Sequence, residues 1–294
     1  MGQLIDLSKF TFTGEKQLDL GKLPTHIPLL YEDKKDYKKQ LEDFQERIHD
    51  LQNVMYAHNR YSLLLIFQAM DAAGKDGTIR NVLSGVNPHG LQIFAFKKPS
   101  TKELDHDYLW RTTVCFPERG RIGVFNRSYY EEVLVVKVHP KILTNYQLIP
   151  KEETQDVEKV WEQRYESIRN LEKYAYQNGT RVIKFFLNVS RDEQRNRFLK
   201  RLQTPAKNWK FSESDVEERQ FWPDYMKAYT EAINATSSPK APWYVIPADD
   251  KRNMRLMVAQ TIEKHLAELD MHYPIISEEK KADFKKYEEM LMND

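Results

Sequence analysis

The sequence predicts an α/β fold, one domain on a parallel sheet flanked by helices, and three observations predict it. Short apolar runs of strand length recur at residues 63–67, 91–96, 122–125, 182–189 and 243–248, separated by segments of helical period. Strands alternating with helices leave consecutive strands parallel, with the helices packed over the sheet. The run SLLLIF at 62–67 is apolar on both faces, as a mid-sheet strand requires. The chain of 294 residues suits one large domain or two small ones, and no repeat, low-complexity run or linker divides it.

Residues 1–30 read as an extended arm, punctuated by Gly14, Pro24 and Pro28. Tyr37, Leu41, Phe44, Ile48, Leu51 and Val54 or Met55 then recur at three- and four-residue steps, an amphipathic helix leading into the first strand. A helix with Ile79, Val82, Leu83 and Val86 inward follows that strand. The tight loop Ser84 to Gly90 leads to strand 91–96, and a helix capped by Ser100 or Thr101 runs through Arg111. Strand 122–125 ends in the polar turn Asn126-Arg127-Ser128 and is followed by a helix through Val136. Residues 153–178 are helical by period, with Asn178-Gly179 as the stop. Strand 182–189 carries Lys184 inside an apolar run, either snorkelling at an edge or functional. Ser190 and Glu193 form a capping-box pattern for a helix crowded with Arg191, Arg195, Arg197 and Arg201. Gln194, Arg197 and Arg201 share one face of it. A long helix over 212–235, kinked at Pro223, a strand at 243–248, a helix over 250–269 and a charged helical tail over 276–294 complete the chain.

The strand–turn–helix at 62–86 carries the chemistry. Its turn ends in Gly74-Lys75 where the helix begins, and the unpaired N–H groups of a helix start, with its dipole, favour phosphate. Gly74, Lys75, Asp76, Gly77 and Thr78 are therefore phosphate-binding candidates. The pattern departs from G-x-x-x-x-G-K-[ST], with Ala69 at the first glycine and Asp76 at the hydroxyl position. A glycine turn beside a solvated lysine is the plain alternative. Asp71 inside the loop makes sense if a divalent cation lies between protein and phosphates. Asp71 is also placed to take a proton from the acceptor, with Glu131 or Glu132 as weaker metal candidates. Arg127 at a second strand end would bridge donor and acceptor, and Arg197 and Arg201 would close over the transferring group and exclude water.

Composition bounds the partners. A net charge of +1 draws the chain to neither nucleic acid nor membrane, so any basic site is local. Cys115 is the single cysteine, which excludes an intrachain disulfide and fits a reducing compartment. The start MGQLIDLSKF is not a signal peptide and no apolar segment approaches membrane-spanning length, so a cytoplasmic protein is expected.

The segments QAMDAAGKDGT, GVNPHG, DYLWR, FNRSYYEEVLV, KFFLNVSRDEQRNRFLKRL, NWKF…D and APWYVIPADDK together resemble the polyphosphate kinase 2 family over about residues 35–270. The resemblance implies a thymidylate kinase-like, P-loop kinase-like three-layer sandwich over residues 31–275 with a helical lid at about 190–212. It implies transfer of the terminal phosphate of inorganic polyphosphate to AMP and/or ADP, and most resembles the subgroup acting on both nucleoside mono- and diphosphates. Carried over by position, it makes Asp71 the catalytic loop aspartate and Lys75 the phosphate-binding lysine. Asn126-Arg127-Ser128 becomes the second motif. Lys184, Glu193, Gln194, Arg197, Arg201, Lys207 and Lys210 fall in the strand-and-lid pattern that meets polyphosphate. Asn87, Pro88 and Gly90, with Asp107 and Arg111, fall where nucleotide sits. Mg²⁺ is implied, with Mn²⁺ as a substitute. Lys137, His139, Arg119 and Arg121 are candidates to extend a cationic channel. A homo-oligomer, dimer or tetramer, is expected, its faces supplied by the aromatic-rich long helices if these are not core. Two other readings stand beside this one. An ATP-dependent nucleoside monophosphate kinase would carry the full G-x-x-x-x-G-K-[ST] loop, and a nucleic-acid binder has no use for Asp71.

Overall fold

The computed structural model describes residues 5–293. Six strands form one sheet: β1 (Thr11–Phe12), β2 (Ser62–Gln68), β3 (Leu91–Ala95), β4 (Ile122–Asn126), β5 (Thr180–Asn188) and β6 (Trp243–Pro247). Their order is β1-β6-β5-β2-β4-β3, all neighbours parallel except the antiparallel β1–β6 pair. β2 lies inside the sheet, and every one of its side chains is buried. Phe67 of β2 pairs with Phe185 of β5, their rings stacked 4.9 Å apart.

Helices cover both faces. Lys34–His58, Lys75–Val82 and Lys251–Ala267 pack together on one, and Val157–Gln177 and Trp222–Thr236 on the other. The first is started by Asp33, whose carboxylate accepts from the N–H groups of Lys35 and Asp36. Among the described residues no helix is long and apolar enough to cross a membrane.

Several expected elements differ. Residues 5–30, expected as an extended arm, pack onto the domain: Leu7, Phe10, Leu18 and Leu20 are buried, and Thr11 and Phe12 pair with Tyr244 and Trp243. The expected long helix over 212–235 is three pieces, Glu213–Glu217, Glu218–Phe221 and Trp222–Thr236, because Pro223 starts a helix more readily than it continues one. Val216 and Phe221 are exposed. Residues 101–111 give two short helices, Thr101–Leu104 and Trp110–Thr113, the former closed by a capping box from Ser100 and Glu103. The tail is the helix Glu278–Met292, with no residue buried.

Candidate active site

The carboxyl ends of β2 and β4 lie side by side, Phe67 paired with Asn126, and both turns that follow open into one cavity of about 780 Å³. The first turn leaves Gln68 and reaches the helix Lys75–Val82 through Gly74, whose φ of +110° disfavours any side chain. Ala72 is left-handed too (φ +60°), as is Arg127 in the second turn (φ +63°), so both non-glycine exceptions here sit beside the cavity. The helix's first hydrogen bond runs from Thr78 N–H to the Gly74 carbonyl. The amides of its first turn therefore have no acceptor within the helix.

The two turns are joined by side chains. Arg127 Nη2 donates to Asp71 Oδ1 at 2.8 Å, and Asn126 Nδ2 donates to Asp76 Oδ1 at 2.7 Å. Lys75 is buried and donates from Nζ to the Ala69 carbonyl at 2.8 Å. Burial lowers its pKa from the ordinary lysine value, with Asp71 opposing. Burial also works against the Arg127 charge, but Glu131 and Asp71 outweigh it and hold its pKa above the ordinary guanidinium value.

The helix Arg191–Leu202, expected as the lid, lies across the first turn. Gln194 Nε2 donates to the Asp71 carbonyl at 2.8 Å. Arg197 donates to the Ala72 and Ala73 carbonyls at 3.1 and 2.5 Å and to those of Ala248 and Asp249 at 2.6 and 3.0 Å. Its Nε donates to Glu193 at 2.7 Å. The expected capping box is therefore half made. Ser190 Oγ accepts from Glu193 N–H, but the Glu193 carboxylate goes to Arg197 and the Ser190 N–H donates to Asp249 instead. Arg201 and Lys207 line the cavity, Arg201 paired with Asp215 at 3.4 Å. Burial and then the Asp71 charge raise the Asp215 pKa, so this carboxylate feels the site.

Gly74, Lys75, Asp76, Gly77, Asp71, Arg127, Arg197, Arg201 and Lys207 thus converge on one cavity. The Lys210 side chain lies outside the described residues. Other expectations are corrected. The Thr78 hydroxyl is turned into the protein, donating to the Gly74 carbonyl at 3.0 Å with Met254 Sδ at 3.7 Å. Lys184 is fully buried and donates to Glu172, Tyr130 Oη and the Thr236 carbonyl, because a cation inside a central strand needs a buried partner set. Glu132 faces away from the cavity and is buried with Arg164, Arg111 and Gln147, whereas Glu131 accepts from Gln68 at the end of β2.

Asn87, Pro88 and Gly90 precede β3 and so sit at the sheet's amino edge. They are one strand length, about 16 Å, from the cavity-lining Ala95–Lys97 end. Asp107 and Arg111 border a second cavity of about 320 Å³ with His106, Tyr108 and Gln147. Arg111 donates to the Lys97 carbonyl at 2.8 Å, which ties this second cavity to the wall of the first. Lys137, His139 and Arg121 are paired with Glu231, Glu218 and Glu118, away from the cavity lining.

Five cations were missed: Arg80, Lys97, Lys200, Lys251 and Arg255 also line the cavity. A signal for Lys251 existed. The helix Lys251–Ala267 has no acid in its first turn and basic residues there instead, against the preference of its dipole. The lining totals ten Lys or Arg against two acids, Asp71 and Asp76, in a protein of net charge +1.

These two loop carboxylates are hard oxygen donors facing the same space, which fits a divalent cation completed by substrate phosphate oxygens.

The polyphosphate kinase 2 family profile matches residues 31–274. A relative from Rhodopseudomonas palustris, ADP-polyphosphate phosphotransferase, is 58% identical over 261 residues, 89% of each chain. An AMP/ADP-polyphosphate phosphotransferase from Meiothermus ruber is 43% identical over 228 residues, 78% of this chain and 80% of that one. The crystal structure of polyphosphate kinase 2 from Arthrobacter aurescens TC1 superposes with a TM-score of 0.84 at 34% identity, covering 96% of both chains. With the loop, the strand-end arginine and the lid in one cavity and the match spanning most of its length, the chain belongs to the polyphosphate kinase 2 family.

Proposed function

We propose that the chain is a polyphosphate-dependent nucleotide kinase that transfers the terminal phosphoryl group of inorganic polyphosphate to ADP and AMP. The observation that carries this reading is the ten-cation lining of a single cavity, more positive charge than a nucleotide's own phosphates neutralise. A polymeric anion uses that excess. The names of the two relatives support both acceptors.

An oxygen of the acceptor's terminal phosphate attacks the terminal phosphorus of the chain. The bond from that phosphorus to the chain's bridging oxygen breaks, and polyphosphate shorter by one leaves. Such a transfer needs alignment and charge neutralisation more than covalent help. The first-turn amides at Gly74–Gly77 and Lys75 hold phosphate. Arg127, fixed by Asp71, stands between the two turns where donor and acceptor meet. Arg201, Lys200 and Lys207 from the lid segment, with Lys251 and Arg255 opposite, receive the chain. Asp71 and Asp76 are the residues that would hold Mg²⁺ against substrate phosphates, where the ion neutralises the transferring group. A cytoplasmic location follows from the chain's single cysteine and the substrates it would use.

The deciding measurement supplies polyphosphate, a divalent cation and either ADP or AMP, with no ATP. ATP from ADP and ADP from AMP are expected. Product only when ATP replaces polyphosphate as the donor would make this an ATP-dependent nucleoside monophosphate kinase instead.

A further inference from the structure

The lid helix touches the phosphate loop through carbonyls, not through the space a phosphate would fill. Gln194 takes the carbonyl of Asp71, and Arg197 those of Ala72 and Ala73, so three consecutive loop carbonyls end on one helix face. A guanidinium has five N–H groups, and here all five are engaged: one on Glu193, two on the loop and two on the carbonyls that follow β6. Arg197 is buried as well. It has no donor left for phosphate unless it releases the loop.

The peptide geometry gives this a consequence. A trans peptide points its N–H opposite to its C=O, and among the described residues no peptide bond is cis. Holding the carbonyls of Asp71, Ala72 and Ala73 on the lid turns the N–H groups of Ala72, Ala73 and Gly74 away from it. That orientation keeps carbonyl oxygens from facing an anion and leaves the Ala72 and Gly74 amides for it, while the Ala73 N–H donates to the Met70 carbonyl at 3.3 Å. It also offers a reason for the left-handed Ala72, a conformation the loop would not hold unaided. Gln194 is itself fixed, since Arg219 Nη1 donates to its Oε1 at 2.5 Å. Arg201, one turn further along, makes the partly exposed pair with Asp215, lies over the Phe198 ring and faces the cavity.

We propose that Gln194 and Arg197 are positioning residues that hold the phosphate loop in its anion-binding form from the lid helix, and that Arg201 is the lid arginine that meets the phosphate chain. The loop is then competent only while the lid helix is docked, which couples occupancy of the lid to the loop's affinity. The identification of the anion as polyphosphate rests on the function proposed above; the coupling of lid to loop does not.

The test is hydrogen exchange of the Ala73 amide, the loop N–H that donates to the Met70 carbonyl, in ligand-free protein, paired with steady-state kinetics on polyphosphate and ADP. Arg197→Ala and Arg197→Lys are both expected to speed loop exchange about tenfold, as for one lost charge-assisted hydrogen bond. Both should lower kcat/KM for polyphosphate about a hundredfold, with a rise in KM as the loop loses its anion-binding form. Arg201→Ala should leave loop exchange unchanged and raise that KM. Unchanged loop exchange in Arg197→Ala, or recovery of turnover by Arg197→Lys, would overturn the proposal in favour of a direct phosphate ligand. Should Arg197→Ala not fold, Gln194→Ala decides by the same exchange measurement: faster at the loop supports the proposal, unchanged defeats it. Because exchange is read without substrate, failure of the kinase assay alone leaves this result standing.

Discussion

Asp71 and Lys75 sit four residues apart in the loop, yet their partners come from elsewhere: Arg127 for one, the Ala69 carbonyl for the other. In the transfer proposed above each acts on charge that changes, so Lys75→Ala and Asp71→Asn should each lower kcat by about a hundredfold or more, roughly 3 kcal/mol. Turnover within tenfold of the parent in either variant would remove that residue from the mechanism. Lys184 gives the opposite expectation. Its ammonium closes a buried set with Glu172 and Tyr130, and Tyr129 donates to the same carboxylate. Lys184→Met leaves that carboxylate buried without its cation, so a loss of about 3–5 kcal/mol in urea unfolding is expected. The folded fraction should keep its KM for polyphosphate. A raised KM with unchanged stability would return Lys184 to the phosphate site.

At the scale of elements, the site is an assembly of helix starts and strand ends. Lys251 opens the helix after β6 and lines the cavity wall. Burial, and next the nearby Arg197 charge, push its ammonium from 10.5 down to about 8. The free enzyme therefore loses this charge as pH rises through about 8, and KM for polyphosphate should increase between pH 7 and 9. Lys251→Arg should flatten that increase, and an unaltered profile would assign it to another group. The stability sign is the reverse. The unfolded chain binds the extra proton between about 8 and 10.5, so this lysine adds stability as pH rises across that window.

For the whole molecule, the amino-terminal segment is part of the domain. Gln260 exchanges hydrogen bonds with both backbone groups of Ile5, and Asn234 does the same for Leu18, so two amide side chains stand in for strand neighbours. Leu20→Ala should cost about 2–5 kcal/mol in urea denaturation, as for a core leucine, while removal of residues 277–294 should cost under about 1 kcal/mol. A Leu20→Ala cost below about 1 kcal/mol would mean the segment is not integral.

The sequence by itself determined the alternation of strands and helices, the buried central strand, the loop at Gly74-Lys75 and the two arginines on one lid face. Each is written in local periodicity or in the backbone demands of a turn. Tertiary structure decided what those residues face. It drew Arg80, Lys97, Lys251 and Arg255 from separate segments into the cavity that Lys75 and Arg127 share. It removed Lys184, Glu132 and the Asn87–Gly90 loop from that cavity, and it moved Arg197 from phosphate to the loop's carbonyls. The reason is physical. Propensity and pattern act over a few neighbouring residues, whereas a polar group is placed by whichever partner the packed sheet brings within hydrogen-bond reach, and in these contacts that partner is 56 to 255 residues away.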